Sequence, residues 1–113
     1  MTRYFVVEDI DDHEKAFKRS QGQTIPKIPP LYSDRPTLRW ADTLPKARLK
    51  AVAYLKTQKS RTWSVAVVKE GERIYREGMV YLNSYGTGVW RVGRYTWMIN
   101  SKDGSIYDKS YSW

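Results

Sequence analysis

Apolar and polar positions follow two different periods along the chain. Residues 43–57 repeat at helical spacing: Leu44, Ala47, Ala51, Val52 and Leu55 share one face, and Lys46, Lys50, Ala53 and Thr57 form the opposite stripe. Asp42 or Thr43 can cap this segment, and Pro45 suits a first helical turn. From residue 61 onward the period changes to two. Residues 62–69 read as a strand with Trp63, Val65 and Val67 on one face, and Glu70-Gly71-Glu72 turns the chain back into a second strand over 73–82. A loop with two glycines follows over 83–88, then a long strand over 89–100, bent at Gly93. Ser101-Lys102-Asp103-Gly104 is a turn signal, and residues 105–111 close the series.

The first third is less regular. Residues 3–8 read as a short strand. Over 11–20 the acids come first and the bases last, an order that complements a helix dipole and predicts a short helix. Residues 21–37 carry Pro26, Pro29, Pro30 and Pro36, which forbid a regular helix. They read as an ordered loop strapped across the core by Ile25, Ile28, Leu31 and Tyr32. The expected architecture is α+β, one domain spanning 1–113. One main amphipathic helix packs on a four- to five-stranded antiparallel meander, preceded by a short N-terminal strand and helix. In outline the second half resembles the helix-on-curved-sheet folds of the cystatin and nuclear-transport-factor-like type. Such folds host unrelated functions, so the resemblance implies no role.

Composition adds bounds. Aromatic residues are 14% of the 113, with five Trp and nine Tyr, enough bulk for a small core. The absence of cysteine excludes disulfides, thiolate catalysis and Cys-based zinc sites. No segment approaches the roughly 18 apolar residues of a membrane span, and the N-terminus turns acidic at Glu8, unlike a secretory signal. A cytoplasmic location without membrane association is expected.

The net charge of +8 is unevenly placed: residues 1–14 carry −4, residues 15–61 carry +10 and residues 62–113 carry +2. Such asymmetry is the electrostatic footprint of an anionic partner, although a solvated basic surface would also produce it.

Motifs for chemistry are sparse. The acidic run Glu8, Asp9, Asp11, Asp12 and Glu14 with His13 is the one candidate metal site, but it lacks the glycine and distal Glu of an EF-hand and reads better as an acid-rich helix start. No metal or cofactor is therefore expected. His13, the sole histidine, has no nucleophile motif to serve. No nucleophile elbow, phosphate-binding loop or dinucleotide fingerprint is present, and Gly86-Thr87-Gly88 reads as a turn, so catalysis is disfavoured. Pro29-Pro30-Leu31-Tyr32 matches a short polyproline-ligand pattern that structural prolines also satisfy.

The remaining signal is basic and aromatic. Arg76, Arg91 and Arg94 lie on strands beside Tyr75, Trp90, Tyr95 and Trp97, the mix with which sheets hold single-stranded nucleic acid. Period two over 89–100 places Arg91, Tyr95 and Trp97 on one face, expected to be the more exposed, and Trp90, Val92 and Arg94 on the other. Lys46, Lys50, Lys56, Lys59 and Arg61 form a second basic surface that can follow a phosphate backbone without reading sequence. The expected partner is thus nucleic acid, DNA or RNA, bound without sequence specificity through Lys46, Lys50, Lys56, Lys59, Arg61, Arg91, Arg94, Tyr95 and Trp97. The alternative is an acidic protein surface, with the chain acting as an inhibitor, immunity or adaptor protein. A small viral or mobile-element protein fits either reading.

Overall fold

In the computed structural model, residues 2–9, 21–22, 36–58, 64–71 and 76–111 are described. The expected helix over 11–20, most of the proline-rich stretch, and Lys59, Arg61, Trp63 and Tyr75 lie outside them. Strands are β1 (Tyr4–Glu8), β2 (Arg39–Ala41), β3 (Val65–Lys69), β4 (Gly78–Leu82), β5 (Gly88–Val92), β6 (Tyr95–Ile99) and β7 (Ile106–Tyr111), with the helix α1 (Leu44–Thr57) between β2 and β3. They make one antiparallel sheet of seven strands in the order β2-β1-β3-β4-β5-β6-β7.

This corrects the expectation of a helix on a four- to five-stranded meander. Sheet dominates the described residues, 44% strand against 18% helix. Three features account for the difference. First, β1 is not a separate N-terminal strand: Tyr4–Glu8 pairs with both Arg39–Ala41 and Val65–Lys69 and so lies inside the sheet. Such pairing across more than thirty residues leaves no local trace. Second, β2 is three residues long, too short to display a period of two. Third, residues 89–100 are two strands, not one bent strand. Gly93 takes φ +60 and, with Arg94, forms a two-residue turn, so that Val92 faces Tyr95 and Trp90 faces Trp97. Gly first with positive φ matches the type II′ hairpin, whose twist suits antiparallel strands.

β2 and β3 both run antiparallel to β1 and flank it, so they are parallel to each other. A parallel pair needs a crossover, and α1 supplies it, crossing one face of the sheet. Thr43 caps α1, its hydroxyl accepting from the Lys46 amide at 3.4 Å, and Pro45 stands in the first turn. Ala47, Ala51 and Leu55 pack onto Val6, Val65, Val67, Val80, Trp90 and Ile99. A second buried cluster, Val7, Ala66 and Val68 with Phe5, occupies the opposite face. Burial on both faces explains why Val65-Ala66-Val67-Val68 is an unbroken apolar run.

Two glycines let layers approach closely. A Cβ on Gly78 would overlap the indole of Trp90, and one on Gly104 would overlap the backbone carbonyl of Pro45. Gly104 also has φ +77, a conformation an L side chain rarely adopts. Its turn is held by Asp103, whose carboxylate accepts from the Ser105 hydroxyl at 2.7 Å and amide at 3.0 Å. The Ser105 hydroxyl, then its amide, hold the Asp103 carboxyl below its ordinary 3.8. A depressed carboxyl contributes fully above its unfolded value and loses that contribution as pH falls through the folded one. The Asp103 side chain is therefore expected to titrate by NMR with a midpoint below 3.8, and the turn to loosen only in acid below that value. A midpoint at or above 3.8 would contradict the hydrogen bonds just described.

Candidate functional site

The helix packs mainly against β1, β2, β3 and β4 and touches the 101–105 turn through Pro45 and Arg48, while the other end of β6 and β7, at Tyr95 and Tyr111, stays exposed on the same sheet face. Cross-strand register decides which side chains stand there. Trp90 opposes Trp97, Val92 opposes Tyr95, and Tyr95 opposes Tyr111, so all five share the helix-bearing face. Ile106 faces the core on this side, opposite Ile99. For Lys109 and Tyr111 to join Ile106 on one face, β7 needs one extra residue. A bulge supplies it between Thr96 and Met98, where Asp108 takes φ 53, a left-handed conformation that Asp tolerates better than most residues.

An open aromatic platform results. The rings of Tyr95 and Tyr111 meet edge to face, 5.4 Å between centroids, and Tyr95 lies 6.3 Å from Trp97. Tyr95 and Tyr111 are 44% and 48% exposed, an unusual amount for neighbouring rings on a sheet. Lys109 Nζ stands 4.3 Å from the Tyr95 centroid and 5.8 Å from that of Trp97. Arg94, from the β5–β6 turn, donates through Nη1 to the Tyr111 hydroxyl at 3.2 Å. Further in, the Arg48 guanidinium lies 4.6 Å from the centroid of Trp90. Lys109 and Arg48 are attracted to the negative faces of their rings, which fixes their position and leaves N–H groups for other partners.

Carboxylates hold some of the described cations, while others, Lys50, Lys56 and Lys102 among them, have none. Arg3 pairs with Glu70, Lys46 with Asp42, and Arg76 with Asp9. Among the described residues no carboxylate pairs with Arg48, Arg94 or Lys109.

Of the residues singled out by sequence, the structure brings Arg94, Tyr95 and Trp97 together. Arg91 is elsewhere: it opposes Thr96 and Met79 on the other face, and its Nε donates to the Gly93 carbonyl at 2.8 Å. The hairpin at Gly93 reverses the facing expected of a single strand, so Arg91 parts from Tyr95 and Trp97, which join Trp90. Lys46, Lys50 and Lys56 are exposed on α1 and line grooves on its flanks. One groove, of about 770 Å³, lies between α1 and the turns carrying Tyr85 and Ser101; the other, of about 600 Å³, opens beside Trp40. Lys59 and Arg61 lie outside the described residues.

Sequence reasoning missed Arg48, Lys109 and Tyr111. Arg48 was legible by position, since it follows Leu44 by four and precedes Ala51 by three, within the apolar stripe. Lys109 and Tyr111 were not, because the bulge decides their face. Of the acidic run, Glu8 and Asp9 are described, and Asp9 is a buried partner of Arg76. No cluster of three or more metal-type side chains occurs among the described residues, and no described helix is long and apolar enough to cross a membrane.

No protein-family model, curated protein or solved structure matches this chain.

Proposed function

We propose that this protein binds single-stranded nucleic acid without sequence specificity on the uncovered part of the helix-bearing sheet face, formed by Tyr95, Trp97 and Tyr111. The observation that carries this reading is a set of partly exposed rings flanked by two cations without carboxylate partners, at the end of the sheet the helix leaves open. Every base has a π-face, so ring stacking tolerates any sequence and contributes about 1–3 kcal/mol per base. Lys109 and Arg94, at the rims, supply the phosphate contacts. Paired bases in a duplex do not present their faces to such a platform, so single strands are favoured. Nothing in the arrangement distinguishes DNA from RNA.

Fluorescence titration with a short single strand and the matching duplex tests this reading. Two phosphate contacts on a single strand give a salt slope of about −1.4 in log–log terms, so binding should weaken about sevenfold between roughly 50 and 200 mM salt. The duplex should bind more weakly at both. Absence of single-strand binding at low salt would overturn the reading. The same Tyr, Trp and Arg side chains, residue types that anchor protein interfaces, would then be a docking surface for an acidic protein.

A further inference from the structure

Arg48 is the most unusual side chain in the fold. It is 7% exposed, on the buried stripe of α1. Its Nη1 donates to the Gly104 carbonyl at 3.0 Å, and its Nε is buried without a partner. Among the described residues no acid pairs with it. A guanidinium stays protonated at any physiological pH, so the fold holds a permanent positive charge largely out of water with one carbonyl and one indole as compensation. Burial draws its pKa below the ordinary value, the direction expected when nothing offsets the lost hydration. If Arg48 served only to pack on Trp90, a methionine would do so without the desolvation cost.

Its position suggests what it is for. Trp90 lies under Arg48 and directly opposes Trp97, whose ring Lys109 flanks on the exposed side. The two tryptophans thus connect the open platform to the buried cation. We infer that Arg48 is an anion anchor at the inner end of the platform, and that it takes the terminal phosphate of the bound single strand. This rests on the reading of the platform as a single-strand surface. A phosphodiester within a chain carries a nucleoside on each side and fits a buried cation poorly, whereas a terminal phosphate is flanked on one side only. A terminal phosphate also carries a charge of about −1.5 to −2 and three acceptor oxygens, which suit the unused N–H groups of a guanidinium.

The test needs no variant at first. Binding of wild-type protein is compared for otherwise identical oligonucleotides ending in 5′-phosphate, 3′-phosphate or hydroxyl at both ends. One phosphorylated end should bind about tenfold more tightly than the hydroxyl form, the size of a charge-assisted bond, and which end does so gives the strand polarity. Arg48→Met should remove that preference and keep or raise Tm, since it deletes an uncompensated charge while preserving contact with Trp90. Inorganic phosphate should raise the Tm of wild type and not that of Arg48→Met. Equal binding of all three oligonucleotides, with stacking intact, would overturn the anchor and leave the single-strand reading standing. Phosphate protection confined to wild type, with no oligonucleotide binding, would support an anion site at Arg48 and defeat the single-strand reading. An equal phosphate effect in both proteins would count against the anchor.

Discussion

Replacing Gly104 with alanine is expected to destabilise the domain by about 2–5 kcal/mol. Two costs combine. A non-glycine residue at positive φ costs about 1–2 kcal/mol, and the new methyl would overlap the Pro45 carbonyl, a backbone atom that cannot rotate away. Forcing extra carbon into a closed contact costs about 1–3 kcal/mol more. Moving the turn to relieve the overlap would pull the Gly104 carbonyl from Arg48, its hydrogen-bond acceptor among the described residues. Gly86 provides the control. It has φ +80, close to the φ +77 of Gly104, but no atom lies within 4 Å of where its Cβ would stand. Gly86→Ala should therefore show the conformational cost alone, about 1–2 kcal/mol. Urea denaturation of both variants separates the terms, and equal losses would mean that the contact between the 101–105 turn and α1 is not as close as described. Against a total stability of about 5–15 kcal/mol, the larger loss is severe.

The largest expected effect on binding is that of Tyr95→Ala combined with Tyr111→Ala. Both rings are about half exposed and stand outside the main core cluster, so the fold should survive their removal. Each stacked base contributes about 1–3 kcal/mol, and the two rings touch, so their losses will not add fully. Single-strand affinity should fall about a hundredfold with Tm lowered by only a few degrees. Trp97→Ala is less clean, because Trp97 also packs against the core cluster and its removal mixes stability with binding. A double variant that binds like wild type would show that the rings are not the contact surface.

What could be read from sequence depended on whether the signal was local. The helix was legible from Thr43, Pro45 and the spacing of Leu44, Ala47, Ala51 and Leu55, and each of these acts within a turn or two. The sheet was legible only in part. The period-two runs announced strands, but the insertion of β1 between β2 and β3 depends on contacts far apart in sequence, and Arg39–Ala41 is too short to show any period. Of the platform, Tyr95, Trp97 and Arg94 were singled out by residue type. Their neighbours depended on one backbone decision: whether Gly93 bends a strand or starts a hairpin. The hairpin moves every later residue to the other face, which removes Arg91 and brings in Trp90. A further extra residue at Asp108 then brings Lys109 and Tyr111 across. Both decisions rest on positive φ, which sequence suggests for glycine and hides for aspartate.

The central claim is that a single strand lies on the rings of β6 and β7 rather than along the lysines of α1. The most direct measurement is a two-dimensional NMR titration of labelled protein with a short unlabelled single strand. The Trp97 indole resonance and the amides of Arg94, Tyr95, Lys109 and Tyr111 should move together, with Lys46, Lys50 and Lys56 little changed. Shifts concentrated on Lys46, Lys50 and Lys56, with the aromatic platform silent, would contradict it.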